Sequence, residues 1–189
     1  DTTGVITARP ITVTAQTDTK VYDRTVNSSA VPTITSGSLA GGDTATWTQT
    51  FDDWNVGTGK TLTPAGTVSD GNSGNNYTVT FVNDNTGEIT AKVLTVSGVT
   101  ADDKIYDATT AATVNASGAS LGGVIGGDTV TVDTSGASGV FDNKNVGVNK
   151  TVTISGLSLS GDDAGNYTLN AGSAAATADI TARPITVTA

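Results

Sequence analysis

One run of this chain occurs twice. Ile6-Thr7-Ala8-Arg9-Pro10-Ile11-Thr12-Val13-Thr14-Ala15 returns letter for letter as Ile180 to Ala189, and a looser version, Ile89-Thr90-Ala91-Lys92-Val93-Leu94-Thr95-Val96, lies midway. The words between these marks also come in pairs. Lys20-Val21-Tyr22-Asp23 answers Lys104-Ile105-Tyr106-Asp107, and Gly41-Gly42-Asp43-Thr44 answers Gly126-Gly127-Asp128-Thr129. Phe51 with Asn55-Val56-Gly57 answers Phe141 with Asn145-Val146-Gly147, and Asn76-Tyr77-Thr78 answers Asn166-Tyr167-Thr168. The spacing between partners is that of a small domain, not of a solenoid repeat. The chain therefore divides into a first repeat domain over residues 9–91 and a second over 92–182. Residues 1–8 are expected to be the end of a preceding repeat, and 183–189 the start of a following one.

Composition sets the class. Glu88 is the one glutamate, methionine is absent, and Thr, Val and Gly dominate, which favours pleated strands joined by tight turns. Period-two alternation recurs in Ile11-Thr12-Val13, Val79-Thr80-Phe81, Val130-Thr131-Val132 and Val152-Thr153-Ile154. This is the pattern of antiparallel strands with one wet face. Gly, Asn and Asp clusters break the strands where turns need positive φ or Asx bonds. About seven strands per unit follow, near 10–15, 20–22, 31–35, 44–50, 60–63, 77–82 and 87–91 in the first. In the second they lie near 93–99, 104–106, 111–115, 128–133, 150–155, 166–170 and 175–181. The only helical expectation is a single turn within 117–124. The fold expected is all-β: two tandem immunoglobulin-like β-sandwich domains in an elongated array. A β-grasp-like unit is the alternative and would need a helix the sequence lacks. Tyr77 and Tyr167 each follow a polar loop and open a strand, a placement that suits a buried ring whose hydroxyl bonds back to loop backbone.

No Gly/Ser linker separates the repeats; the strands on either side of Ala91-Lys92 nearly touch in sequence. Pro10 and Pro184 hold the residues before them extended. Units of about 12 Å radius of gyration joined this tightly are expected to form a fairly stiff rod.

The formal charge is −9, carried almost wholly by Asp. With no Lys/Arg field, nucleic acid is not an expected partner, nor is an anionic membrane surface. No apolar run is long enough to insert into a bilayer. Cysteine and histidine are absent, so the commonest soft nucleophile and the commonest general base are both missing. The acidic pairs sit among turn formers, where Asp ordinarily accepts from backbone, and no enzymatic activity or organic cofactor is expected. Calcium needs only oxygen ligands, which makes Asp102, Asp103, Asp162 and Asp163 its candidate ligands, although no Asp-x-Asp-x-Asp-Gly loop is present. Of the tryptophans, Trp47 is in phase with strand neighbours and is expected in the core. Trp54, matched by Lys144 in the second copy, is expected on an exposed turn as a possible ligand contact.

Lys-x-Tyr-Asp, Gly-Gly-Asp-Thr, Asn-Val-Gly-x-x-Lys, Asp162-Asp163-Ala164-Gly165-Asn166-Tyr167-Thr168-Leu169 and the Ile-Thr-Ala-Arg-Pro-Ile-Thr-Val junction together resemble the YDG/MBG-type repeat domains of large bacterial surface adhesins, the filamentous-haemagglutinin-like exoproteins. In that family a glycine usually follows Tyr-Asp; here the residue is Arg24 or Ala108. The resemblance implies an extracellular protein of the bacterial cell surface whose repeats form a stalk. The partners it implies are neighbouring repeats of the same chain and, through other domains, host or biofilm glycan, the chain itself being a monomer. A carbohydrate- or matrix-binding module is the alternative role.

Overall fold

The structure is a computed structural model that describes residues 4–170 and 174–189. The chain forms two compact units, Asp1–Ala91 and Lys92–Ala189. Both are built from strands, and among the described residues no α-helix occurs. Of the segment 1–8, residues 1–3 lie outside the described residues; Val5 and Ile6 are exposed.

The first unit contains β1 (Arg9–Thr14), β2 (Thr19–Val21), β3 (Thr33–Ser36), β4 (Thr44–Phe51), β5 (Gly57–Ser69), β6 (Tyr77–Val82) and β7 (Asp84–Thr90). They form a three-stranded sheet, β3-β1-β6, and a four-stranded sheet, β2-β7-β5-β4. The opening segment serves both sheets: β1 runs parallel to β6, and β2 runs parallel to β7. Ile11, Val13, Val68 and Tyr77 pack as one buried cluster, edged by Ile34, Leu39 and Trp47. Tyr22, Phe51, Leu62 and Ile89 are also buried. Pairing of β5 with β7 ends at Leu62↔Asp84. Pro64 therefore sits where one side of β5 makes no ladder, the position a residue without an N–H tolerates.

Trp47 is half-buried, not fully in the core as alternation suggested. It lies across the hairpin from Gly66, and a Cβ there would stand 2.5 Å from the indole Cε3. The indole covers the bare glycine and meets Phe81 edge-on, with ring centroids 6.0 Å apart.

The second unit contains β8 (Lys92–Ser97), β9 (Thr100–Ala101), β10 (Lys104–Ile105), β11 (Ala111–Ala112), β12 (Val114–Asn115), β13 (Ser120–Gly122), β14 (Thr131–Asp133), β15 (Ser138–Phe141), β16 (Gly147–Ser155), β17 (Ser158–Ser160), β18 (Tyr167–Leu169) and β19 (Ala175–Thr181). Its sheets run β10-β19-β16-β15-β11 and β13-β8-β18, with two-stranded ladders β12-β9 and β14-β17. Val99, Phe141, Val152, Ile154, Ala178 and Ile180 form its core. The expected helical turn within 117–124 is instead a turn followed by β13, because Leu121 pairs with Val96 in a strand ladder. Among the described residues the one helical element is a 3-10 turn at Ala164–Asn166, just before Tyr167.

The turn after Tyr-Asp is kept in both units although neither has glycine there. Arg24 has φ 62° and Ala108 has φ 67°, the left-handed region that disfavours a side chain. Ala108→Gly is expected to raise the stability of the second unit by about 0.5–1 kcal/mol, read as a higher urea midpoint with an unchanged slope.

Candidate functional site

The paired motifs converge on two clamps, each present in both units. The first is built by Lys-x-Tyr-Asp. Lys20 Nζ donates to the carbonyls of Thr25 (2.9 Å) and Asn27 (3.0 Å), and pairs with Asp23 at 2.6 Å. Lys104 Nζ does the same with Thr109 O (3.0 Å), Ala111 O (2.9 Å) and Asp107 (2.8 Å). The ammonium caps the loop's carbonyls and lies 5.7 Å over the Phe51 ring in the first unit and 5.5 Å over Phe141 in the second. Asp107 in turn accepts from the Thr109 N–H at 2.9 Å, closing an Asx turn, as Asp23 does for Thr25.

The second clamp joins two motifs far apart in sequence. The Tyr77 hydroxyl donates to Asp43 Oδ2 (2.6 Å) and accepts the Ala40 N–H (2.7 Å). The Tyr167 hydroxyl donates to Asp128 Oδ2 (2.5 Å) and accepts the Ile125 N–H (3.1 Å). The Gly-Gly-Asp loop is thus the partner that holds each buried ring.

The four aspartates proposed as calcium ligands are engaged separately. Asp103 Oδ1 accepts the Asp179 N–H at 2.7 Å. Asp163 Oδ2 accepts the Thr129 N–H at 2.7 Å, while the Asp163 N–H donates to the Thr129 carbonyl at 3.2 Å. The Asp102 N–H bonds the Thr113 carbonyl, and Asp162 is exposed. Among the described residues no group of three or more Asp, Glu, His or Cys comes together as a metal site. Trp54 stands on the β4–β5 loop with 46% of its surface exposed. That loop is fixed by Asp53, which accepts from Asn55 N–H (2.7 Å) and from Lys60 Nζ (2.6 Å). In the second unit Lys150 Nζ reaches Asp142 (2.7 Å) and Asn143 (2.8 Å) in the same way.

Three residues carry loops that the motifs did not reveal. Gln49, 3% exposed, accepts the Gln16 N–H (2.8 Å) and donates to the Gln16 carbonyl (2.6 Å) and Ser28 Oγ (2.9 Å). Asp18 accepts from Ser28 Oγ (2.6 Å) and Ser29 N–H (2.8 Å). Asp70 accepts from the N–H groups of Asn72, Gly74 and Asn76. The signal for Gln49 was its phase: it points inward with Ala45, Trp47 and Phe51 along β4.

These clamps set a pH profile. Lys60 beside Asp53, Lys104 beside Asp107 and Lys150 beside Asp142 hold those carboxyls below their usual value. Their contribution is complete above the unfolded value near 3.8 and is lost as pH falls through the lower folded values. Burial and the Asp128 carboxylate push the Tyr167 phenol up. At Tyr77 the Ala40 N–H favours the phenolate, but Asp43 and burial outweigh it and the phenol is also raised. The tyrosine contribution is complete below the ordinary value of 10.0 and is lost as pH rises through the raised one. Melting temperature is therefore expected to stay level between about pH 5 and 9 and to fall on both sides. In Tyr167→Phe the second unit loses its share of the alkaline fall.

Small all-β units repeated in tandem, each closed by a lysine cage and a tyrosine–aspartate clamp, define a class of β-repeat domain. Residues 7–87 and 90–178 each match the YDG domain, and the chain belongs to the YDG domain family. A comparison with curated proteins and one with solved structures each return no match.

Proposed function

We propose that this pair of YDG domains is a spacer segment of a secreted bacterial surface adhesin, holding a binding tip away from the cell. The observation that carries the reading is the junction: β7 ends at Thr90, β8 begins at Lys92, and Ala91 alone lies between them. A single residue leaves few backbone torsions to absorb bending, unlike a flexible linker. The use of the shared motifs supports the same role. Their lysines, tyrosines and aspartates are turned onto backbone and loop groups of their own unit, which is the work of a scaffold. In this reading each unit is an immunoglobulin-like sandwich, its partners are neighbouring repeats, and glycan or matrix is bound by other domains at the cell surface.

Small-angle scattering tests the proposal against a variant with a Gly/Ser linker inserted after Ala91. The native chain is expected to give the narrower, better-defined distance distribution, and the linker variant a broader one that tails to longer distances. Indistinguishable profiles would remove the spacer reading.

A second reading, a carbohydrate or matrix contact, is favoured by the exposure of Trp54 on a braced loop. Loss of adhesion in Trp54→Ala with unchanged melting would support it, and unchanged adhesion would dismiss it.

A further inference from the structure

The loop that joins β15 to β16 brings an amine, an amide and a carboxyl into mutual contact. Lys150 lies on β16 with its backbone in register with Ala178 of β19, and only 8% of its side chain is exposed. Its stem passes under the turn: a Cβ on Gly147 would stand 3.3 Å from Lys150 Cδ. Nζ emerges 2.8 Å from Asn143 Oδ1 and 2.7 Å from Asp142 Oδ1. The Asp142 N–H bonds the Thr151 carbonyl at 3.0 Å, which fixes the loop against the strand that carries the lysine.

Two further contacts set these groups apart from an ordinary ion pair. Asn143 Nδ2 donates to Asp142 Oδ2 at 3.2 Å, so the carboxylate spans the lysine nitrogen with one oxygen and the amide nitrogen with the other. Asn143 Oδ1 also accepts the Asn145 N–H at 3.0 Å, a backbone donor aimed at the oxygen that would gain charge if Cγ were attacked. A nucleophile, a proton carrier, a leaving nitrogen and an oxyanion donor are therefore assembled in one loop. The first unit departs at the electrophile: Asp53 stands where Asn143 stands, and Lys60 pairs with it at 2.6 Å. The Lys60 contact holds that carboxyl below its usual value, hence ionised, and an ionised carboxylate is a poor target for an amine.

We propose that Lys150 and Asn143 become joined by an intramolecular amide bond, Nζ to Cγ, with Asp142 carrying the protons. The Lys150 ammonium passes one proton to Asp142, and the free amine adds to Asn143 Cγ. The carbonyl electron pair moves onto Oδ1, where the Asn145 N–H holds it. Asp142 delivers its proton to Nδ2 and takes another from the added nitrogen. The Cγ–Nδ2 bond then breaks, and ammonia leaves with that second proton as ammonium. An ammonium and a primary amide thus become a secondary amide and an ammonium ion; nothing is oxidised and no co-reactant is needed. Asp142 is half-exposed, which gives the departing ammonium a way out. The ion pair of Lys150 with Asp142 is the reactant state. Once the bond forms, the acid sensitivity of the second unit rests on Asp107, which still faces the Lys104 ammonium. The inference goes beyond the spacer reading and does not depend on it.

Mass spectrometry of the full chain, folded and then denatured, tests the bond. The native chain is expected to weigh one ammonia less than its sequence. Trypsin is expected to cut after Lys144 but not after Lys150, and the fragments on either side of the Lys144 cut should stay joined. Lys150→Arg and Asp142→Asn are each expected to restore the full sequence mass. The first lacks the amine, and the second keeps the shape of the carboxyl without its capacity to carry a proton. A cooperative melt shows that each variant has folded. A native chain at full sequence mass would overturn the inference, whatever the variants do. So would a loss of ammonia that persists in Lys150→Arg or leaves Lys150 open to trypsin, the mark of a succinimide at Asn143. Persistence of the crosslink in folded Asp142→Asn would overturn the role given to Asp142.

Discussion

Phe141→Ala is expected to destabilise the second unit by about 3–5 kcal/mol, the cost of deleting a buried ring from a core that cannot fully close on the space. Phe141 is 2% exposed and packs with Val99, Val152, Ile154, Ala178 and Ile180. It also carries the Lys104 ammonium over its face, so its loss loosens the Tyr-Asp loop as well as the core. The effect should be confined to one unit. Both tryptophans, Trp47 and Trp54, belong to the first unit, so tryptophan fluorescence follows that unit alone. Hydrogen exchange of β15 and β16 should accelerate strongly while the tryptophan transition stays in place. A loss below about 1 kcal/mol would mean that Phe141 is not the centre of this core.

Gln49→Ala is expected to cost the first unit about 3 kcal/mol, through polar groups stranded in a nearly dry site. The carboxamide satisfies both the N–H and the carbonyl of Gln16, as a neighbouring strand would. Alanine leaves both without that partner and frees Ser28 Oγ from its third contact. The second unit solved the same place differently. Gly139 stands two residues before Phe141, as Gln49 stands before Phe51. A Cβ on Gly139 would lie 2.7 Å from Val114 Cγ2, so a valine from a neighbouring strand fills the space. Val99 follows β8 as Gln16 follows β1, and it is buried in the apolar core. A polar brace in one copy is thus an apolar contact in the other. Tryptophan-monitored urea unfolding measures the loss directly, and an unchanged midpoint would show that Gln49 is dispensable.

Much of this was legible in sequence, for identifiable reasons. Strands with Thr and an apolar residue in alternation, such as β1 and β6, lie within a residue or two of where the pattern set them, because a half-buried sheet leaves no other phase. The tyrosine clamp was legible as a buried ring bonded to loop backbone. Its acidic partner was not, because Asp43 and Tyr77 are brought together only by the pairing of distant strands. The short strands β9, β13, β15 and β17 escaped notice, being two to four residues long, too few for an alternation to show even where Leu121, Val140, Phe141 or Leu159 supplies the apolar side chain. β5 extends well past the span expected for it, since Pro64 and Gly66 look like breakers until one edge of the strand is seen to be free of β7. Trp54 and the acidic pairs illustrate a different limit. Composition named them as candidates, but only geometry could assign Asp103 and Asp163 to backbone N–H groups.

The proposed spacer role rests on a junction of one residue between consecutive strands. Residual dipolar couplings, measured for amides of both units in one weakly aligned sample, address it most directly. A single alignment tensor of equal magnitude for the two units is the expected result. Two tensors of clearly different magnitude would mean that the units reorient independently across Ala91, and the chain would not act as a spacer.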